Sequence, residues 1–314
     1  MKREELKAEI LRLKKEKNTV ILAHYYQEDD IQEIADFVGD SYGLSVEASK
    51  TNAEMILFCG VHFMAETAKI LNPTKKVLLP DLNAGCSLAD GCKYDEFKAF
   101  KDEHPDHEVV MYINCSAEVK SISDYICTSS NAVKIVNSIP ADKKVIFAPD
   151  RNLGRYVKKA TGRDLVLWNG KCIVHEAFSF DKIMKLILAH PNADLIAHPE
   201  STADVLELAQ FVGSTAAMIN YVKESPKDEF IIATEAGILH KMHEVVPHKT
   251  LIPAPIDEDN TCACSECAFM KMNTLQKVYD CLVNEYPVID LTTEVMDAAR
   301  LPIERMIQIT ESAK

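Results

Sequence analysis

Short apolar runs recur along the chain in a fixed order, separated by stretches with helical spacing. "NTVILA" from Asn18, "EMILFCG" from Glu54 and "KKVLLPD" from Lys75 have the length of buried strands. The same order returns with "VMYIN" from Val110, "KKVIFAPD" from Lys143 and "DLVLWNG" from Asp164, and again with "LIAHPE" from Leu195, "DEFIIATE" from Asp228 and "KTLIPAP" from Lys249. Strand-length runs alternating with amphipathic segments predict β-α-β units and parallel sheets covered on both faces.

The recurrence extends to individual residues. "ILAHYYQEDDIQEIADFVGDS" from Ile21 aligns with "LIAHPESTADVLELAQFVGST" from Leu195, so that His24 matches His198 and Ser41 matches Thr215. "VMYINCSAEVKSISDYICTSS" fits between them and supplies Tyr112 and Ser129 at those two places, giving a repeat of roughly 87 residues. The expected fold is α/β: three pseudo-threefold-related α/β/α sandwich domains with small parallel sheets, at 1–92, 93–178 and 179–267. The remainder, 268–314, reads as C-terminal helices packing across the repeats, from "MKMNTLQKVYDCLVNEY" and "MDAARLPIERMIQIT".

Ligands of open parallel sheets collect beyond the carboxyl ends of the strands. Those ends carry His24, Tyr112 and His198, then Tyr26, Asn114 and Glu200 two residues on. Between the first two runs quoted for it, each repeat has a shorter second strand, four in all. That strand runs into a hydroxyl residue at an expected helix start, Ser41, Ser129 or Thr215, where a cap, free N–H groups and the helix dipole suit a carboxylate or phosphate. In a single copy these would read as ordinary N-caps and core histidines. Three copies facing one axis would instead bring unlike polar groups to one cavity.

Acidic residues outnumber basic ones 48 to 35 with no long Lys/Arg run, which argues against a nucleic-acid or anionic-membrane partner. The charged "MKREELKAEILRLKKEKN" lacks the apolar core of a signal peptide, and no apolar run has membrane-spanning length, so a cytoplasmic protein is expected. Ten cysteines in that compartment point to ligands, nucleophiles or core residues more than to disulfides. One follows the fourth run of each repeat: Cys86, Cys172 and Cys267. Three thiolates from separate domains suit a cubane iron–sulfur cluster whose fourth iron has no protein ligand. A local zinc or redox site on Cys262, Cys264 and Cys267 stays open, although one intervening residue between the first two is shorter than usual zinc spacing. Cys59, Cys115, Cys127 and Cys281 sit in apolar segments and read as buried hydrophobes, with Cys92 undecided.

The quoted stretches, together with "GDSYGLS", "LPDLNAGCSLAD", "APDRNLG", "WNGKCIVHE", "ATEAGILH" and "CAFMKMNTL", resemble quinolinate synthase, the iron–sulfur enzyme of de novo NAD synthesis, along nearly the whole chain. The resemblance implies condensation of iminoaspartate with dihydroxyacetone phosphate to quinolinate, with release of phosphate and two waters. It implies a [4Fe–4S] cluster on Cys86, Cys172 and Cys267, and iminoaspartate received from an L-aspartate oxidase or aspartate dehydrogenase. Many members of that family carry C-x-x-C-x-x-C where this chain has C-x-C-x-x-C, which puts redox control through Cys262 and Cys264 in doubt.

Two substrate carboxylates and a phosphate need anion cradles, for which Ser41, Ser129, Thr215, His24 and His198 are the candidates. Tyr26 and Glu200, with His198 beside them, suit acid–base catalysis. Tyr112 and Asn114 would orient the intermediate, and His175 would sit beside the cluster. Arg151 suits either a substrate anion or a structural ion pair. "HEAFSFDKIMKL" and "HKMHE" lack the H-E-x-x-H spacing of a zinc helix, and no dinucleotide or Walker glycine motif is present. Electron transfer through the same cluster, and non-catalytic zinc or anion binding, are the competing classes; the first would prefer four protein thiolates.

Overall fold

The structure is a computed structural model that describes residues 1–257 and 265–312. Its strands fall into three groups: β1 (Thr19–His24), β2 (Phe37–Gly39), β3 (Met55–Cys59) and β4 (Lys76–Leu78); β5 (His107–Tyr112), β6 (Tyr125–Cys127), β7 (Lys144–Ala148) and β8 (Leu165–Leu167); β9 (Asp194–Ala197), β10 (Phe211–Val212), β11 (Glu229–Ala233) and β12 (Thr250–Pro253). Each group forms one sheet in the same order, β2-β1-β3-β4, β6-β5-β7-β8 and β10-β9-β11-β12. Every pairing within them is parallel, with Ala23 beside Cys59, Met111 beside Ala148 and Ala197 beside Ala233 at matching places. The chain thus adopts the expected α/β architecture of three small sandwiches.

The inner strands are β-branched, leucine and aromatic runs covered on both faces, and β3 is buried along its whole length. Each fully buried aliphatic side chain there contributes about 1.5–3 kcal/mol. The edge strands β2 and β10 are short, and a side chain extends the pairing just before each second strand. Asp36 accepts the N–H of Ile21 at 2.8 Å, Asp124 that of Val109 at 2.8 Å, and Gln210 that of Leu195 at 2.7 Å. A short edge stabilised by a side-chain acceptor exposes little unpaired backbone to neighbouring chains.

One apolar cluster includes Leu22 of β1, Val110 of β5 and Phe230 of β11, so the three sheets share a continuous core. The other face of the third sheet keeps its own cluster around Ile183, Leu195 and Ile231. After the third sheet, helix Leu275–Asn284 packs on helix Arg3–Glu16, and helix Thr293–Glu311 lies against β6 and the helices His62–Leu71, Ala117–Ser121 and Ala132–Ser138. Met296, Ala299, Ile303 and Met306 form its buried stripe at helical spacing. That helix therefore ties the first sheet's helices to the second's. Among the described residues no helix is long and apolar enough to cross a membrane.

Candidate active site

The carboxyl ends of the inner strands open onto one cavity with about 710 Å³ of empty space, mouth included. β1 delivers His24 and Tyr26 to its wall, β5 delivers Tyr112 and Asn114, and β9 delivers His198 and Glu200. The loops after the second strands add Ser41, Ser129 and Thr215, and those after the fourth strands add Cys86, Cys172 with His175, and Cys267. These thirteen candidates drawn from the sequence all line the cavity, whereas Arg151 does not.

The hydroxyls are held differently from the expectation that they cap helices. Helix Ser41–Lys50 is capped by Asp40, whose carboxylate accepts the Gly43 N–H, and helix Thr215–Glu224 by Ser214, which accepts the Ala217 N–H. Ser129 lies in the turn before helix Ala132–Ser138, two positions ahead of its N-cap Asn131. For Ser41 and Thr215 a neighbour satisfies the helix end, so the candidate hydroxyl keeps its hydrogen-bonding capacity for the cavity. The Oδ1 of Asn114 is likewise buried without a protein partner.

Cys86, Cys172 and Cys267 are partly exposed, whereas Cys59, Cys92, Cys115, Cys127 and Cys281 are buried, Cys92 within the main core. Cys86 and Cys172 sit at the N-cap positions of the short helices Ser87–Asp90 and Ile173–Glu176, and Cys267 precedes the 3-10 turn Met270–Met272. Burial pushes the Cys86 thiol up to about 12 and raises those of Cys172 and Cys267, against backbone N–H groups that favour the thiolates. The thiols also raise one another, Cys267 acting on Cys86 and Cys86 on Cys172. Three thiols that oppose one another's ionisation become thiolates together only with a cationic group among them, so this donor set fits a metal centre. Cys172 Sγ, a His175 nitrogen and a Glu200 oxygen, all within 4.8 Å of one another, form a second group able to hold a metal.

A buried polar network joins the strand ends. The Tyr26 hydroxyl is 2.7 Å from Thr234 Oγ1, which is 2.9 Å from His175 Nε2; His175 Nδ1 is 2.8 Å from Glu200 Oε2 and 3.3 Å from Cys172 Sγ. Burial alone would raise the Glu200 carboxyl, but His175, His198 and the Tyr112 hydroxyl outweigh it and hold it down to about 2. Burial keeps the phenols of Tyr26 and Tyr112 protonated well above the ordinary range. It also depresses His24 and His198 to about 3. His24 Nδ1 accepts the Tyr26 N–H at 3.2 Å and His198 Nδ1 the Glu200 N–H at 3.4 Å, so the proton of each neutral ring belongs on Nε2. Both imidazoles are therefore neutral donors and not cationic anion clamps.

Sequence reasoning missed Thr234, at the heart of that network, and the fully buried carboxylates Glu235 and Asp150. The signal for the last two was present: "APD" and "ATE" place an acid at the same step after the third strand of two repeats. Arg151 is engaged by Glu176 and Asn169, the structural ion pair of its two readings. Cys262 and Cys264 lie outside the described residues.

Comparison with known proteins agrees along nearly the whole length. The family model described as quinolinate synthetase A protein matches residues 8–308. The quinolinate synthases of Trichormus variabilis and of Nostoc sp. are each 61% identical over 306 residues, covering 98% of this chain and 94% of theirs. That of Synechococcus sp. is 58% identical over 306 residues, covering 98% of this chain and 95% of its own. The solved E-1-hydroxy-2-methyl-but-2-enyl-4-diphosphate reductase of Plasmodium falciparum aligns over 88% of this chain and 94% of its own, at 10% identity and a TM-score of 0.32, too low to carry an argument. With a family match over residues 8–308 and these identities, the chain belongs to the quinolinate synthetase A protein family.

Proposed function

We propose that this enzyme condenses iminoaspartate with dihydroxyacetone phosphate to quinolinate, releasing phosphate and two waters, in NAD biosynthesis. The observation that carries the reading is the meeting, in a member of this family, of three cysteines from three equivalent loops with a buried carboxylate and two buried phenols in one cavity. Cys86, Cys172 and Cys267 would hold a [4Fe–4S] cluster, which when bound supplies a Lewis-acidic iron with a position open to substrate.

The protein groups divide the remaining work. Glu200, held ionised chiefly by His175 and the Tyr112 hydroxyl, takes protons released as the ring forms. Tyr26, kept protonated, donates one, and Thr234 and His175 connect it to Glu200. The Nε2–H groups of His24 and His198 and the Asn114 amide orient oxygens of the intermediate, and Tyr112 orients it while donating to Glu200. The hydroxyls of Ser41, Ser129 and Thr215, beside their helix starts, receive the substrate carboxylates and phosphate, each dipole adding about 0.3–1 kcal/mol. The iminoaspartate supplier would be an L-aspartate oxidase or aspartate dehydrogenase, both of which oxidise aspartate to the imine, with all partners in the cytoplasm.

Anaerobic purification tests the reading: about four irons per chain and conversion of the two substrates to quinolinate are expected. A colourless protein without iron would overturn it. The Cys172, His175 and Glu200 group favours a second reading, a single bound cation. Metal analysis separates them, since that reading requires one metal per chain and no sulfide.

A further inference from the structure

The loops that carry the cysteines dock on the third strands in the same way in all three repeats. One residue past the positions of Val61, Asp150 and Glu235, a backbone N–H donates to the carbonyl two residues before the cysteine. His62 donates to Ala84 at 2.7 Å, Arg151 to Gly170 at 2.9 Å and Ala236 to Ser265 at 3.0 Å. The docking is close: a Cβ on Gly170 would lie 2.3 Å from the Pro149 carbonyl oxygen.

Two of the three repeats add a carboxylate to this contact. Asp150 Oδ2 accepts the N–H of Cys172 at 3.3 Å while its Oδ1 accepts that of Leu153 at 2.6 Å. Glu235 Oε1 accepts the N–H of Cys267 at 3.1 Å while its Oε2 accepts that of Gly237 at 2.7 Å, with Lys271 Nζ 3.4 Å from Oε1. Both acids are fully buried. The first repeat has Val61 at this place, so Cys86 is held without such a grip.

We propose that Asp150 and Glu235 are positioning residues for the metal centre, each clamping the backbone of one cysteine ligand to the end of a third strand. The proposal rests on the reading that Cys86, Cys172 and Cys267 hold a cluster. A rigid ligand loop slows release because a thiolate that lets go stays beside the iron and rebinds. Outer contacts that orient metal ligands characteristically change metal affinity by about 10–100-fold when removed. Each acid uses both oxygens as acceptors, so an amide can serve only one of its two N–H partners and meets the other with a donor.

The test measures cluster loss to an iron chelator, by the decay of visible absorption of the anaerobically loaded, full-length protein. Glu235→Gln and Asp150→Asn are expected to load about four irons and lose them roughly tenfold faster than the parent, and Glu235→Ala up to about 100-fold faster. Asp40→Asn is the control: it removes a buried carboxylate that caps the helix starting at Ser41, and cluster loss at the parent rate is expected. Parent-like rates in both the Glu235 and Asp150 variants overturn the proposal, as does equal acceleration in Asp40→Asn. A variant whose iron-free form loses its cooperative melt also counts against it, because the acid would then be holding the fold. A parent protein that takes up no iron sinks the cluster reading itself, an outcome distinct from all of these.

Discussion

The cavity wall carries two sets of groups, hydroxyls and thiols, that one repeat places by different means. Among the hydroxyls, an adjacent residue settles two placements: Asp40 caps beside Ser41, and Ser214 beside Thr215. Among the thiols, Asp150 reaches Cys172 across 22 residues and Glu235 reaches Cys267 across 32. Local placement makes the hydroxyl set tolerant, because one loss leaves the rest in position. Long-range placement makes the thiol set a junction where sheets, loops and metal depend on one another.

The largest contrast should come from the thiols. Cys267→Ser is expected to abolish cluster binding and quinolinate formation, whereas Cys264→Ser should leave the iron content at the parent level; equal iron in both would erase the distinction. Next comes the buried carboxylate. Glu200→Gln should lower kcat by about 10²–10⁴-fold with unchanged iron content, the range for a lost proton-transfer group. Steady-state rates alongside iron analysis check this, and a change confined to KM would reassign Glu200 to binding.

Among the hydroxyls the effect is smaller and of a different kind. Ser129→Ala removes one hydrogen bond to a charged group, about 1.5–3 kcal/mol, and is expected to raise KM for one of the two substrates by about 10–100-fold with kcat nearly constant. A fall in kcat alone would show that the two sets are not separable.

The smallest effect is on stability. His24 and His198 are neutral in the folded protein down to about pH 3, while an unfolded histidine takes up a proton below about pH 6.5. The unfolded state therefore binds more protons below pH 6.5, and stability falls as the pH is lowered from there towards 3. For the iron-free protein this amounts to about 2 kcal/mol or less per histidine at pH 5. Denaturant midpoints at pH 7 and pH 5 should converge in His24→Gln and His198→Gln; an unchanged pH slope would contradict the burial argument.

The strand segments and the cavity wall were legible because both follow from period; the order of strands within each sheet was not. Buried parallel strands need continuous apolar runs, and three copies of one pattern put His24, Tyr112 and His198 at one step and Cys86, Cys172 and Cys267 at another. The partners of those residues were less legible. Thr234 becomes meaningful only when β11 brings it to Tyr26, which lies 208 residues away in the chain. The hydroxyls show the same limit at short range, since "DS" and "ST" name two possible caps each and backbone geometry chooses between them.

By itself the amino-acid order determined which segments become strands, that the unit occurs three times, and which side chains stand at the strand ends, since these depend on spacing within one repeat. The folded chain alone decided which atoms meet across repeats: that an imidazole holds Glu200 ionised, that two histidines are neutral, and that two acids grip the cysteine loops. Burial and proximity set those charges and contacts, and both are properties of the packed sheets that no single segment carries.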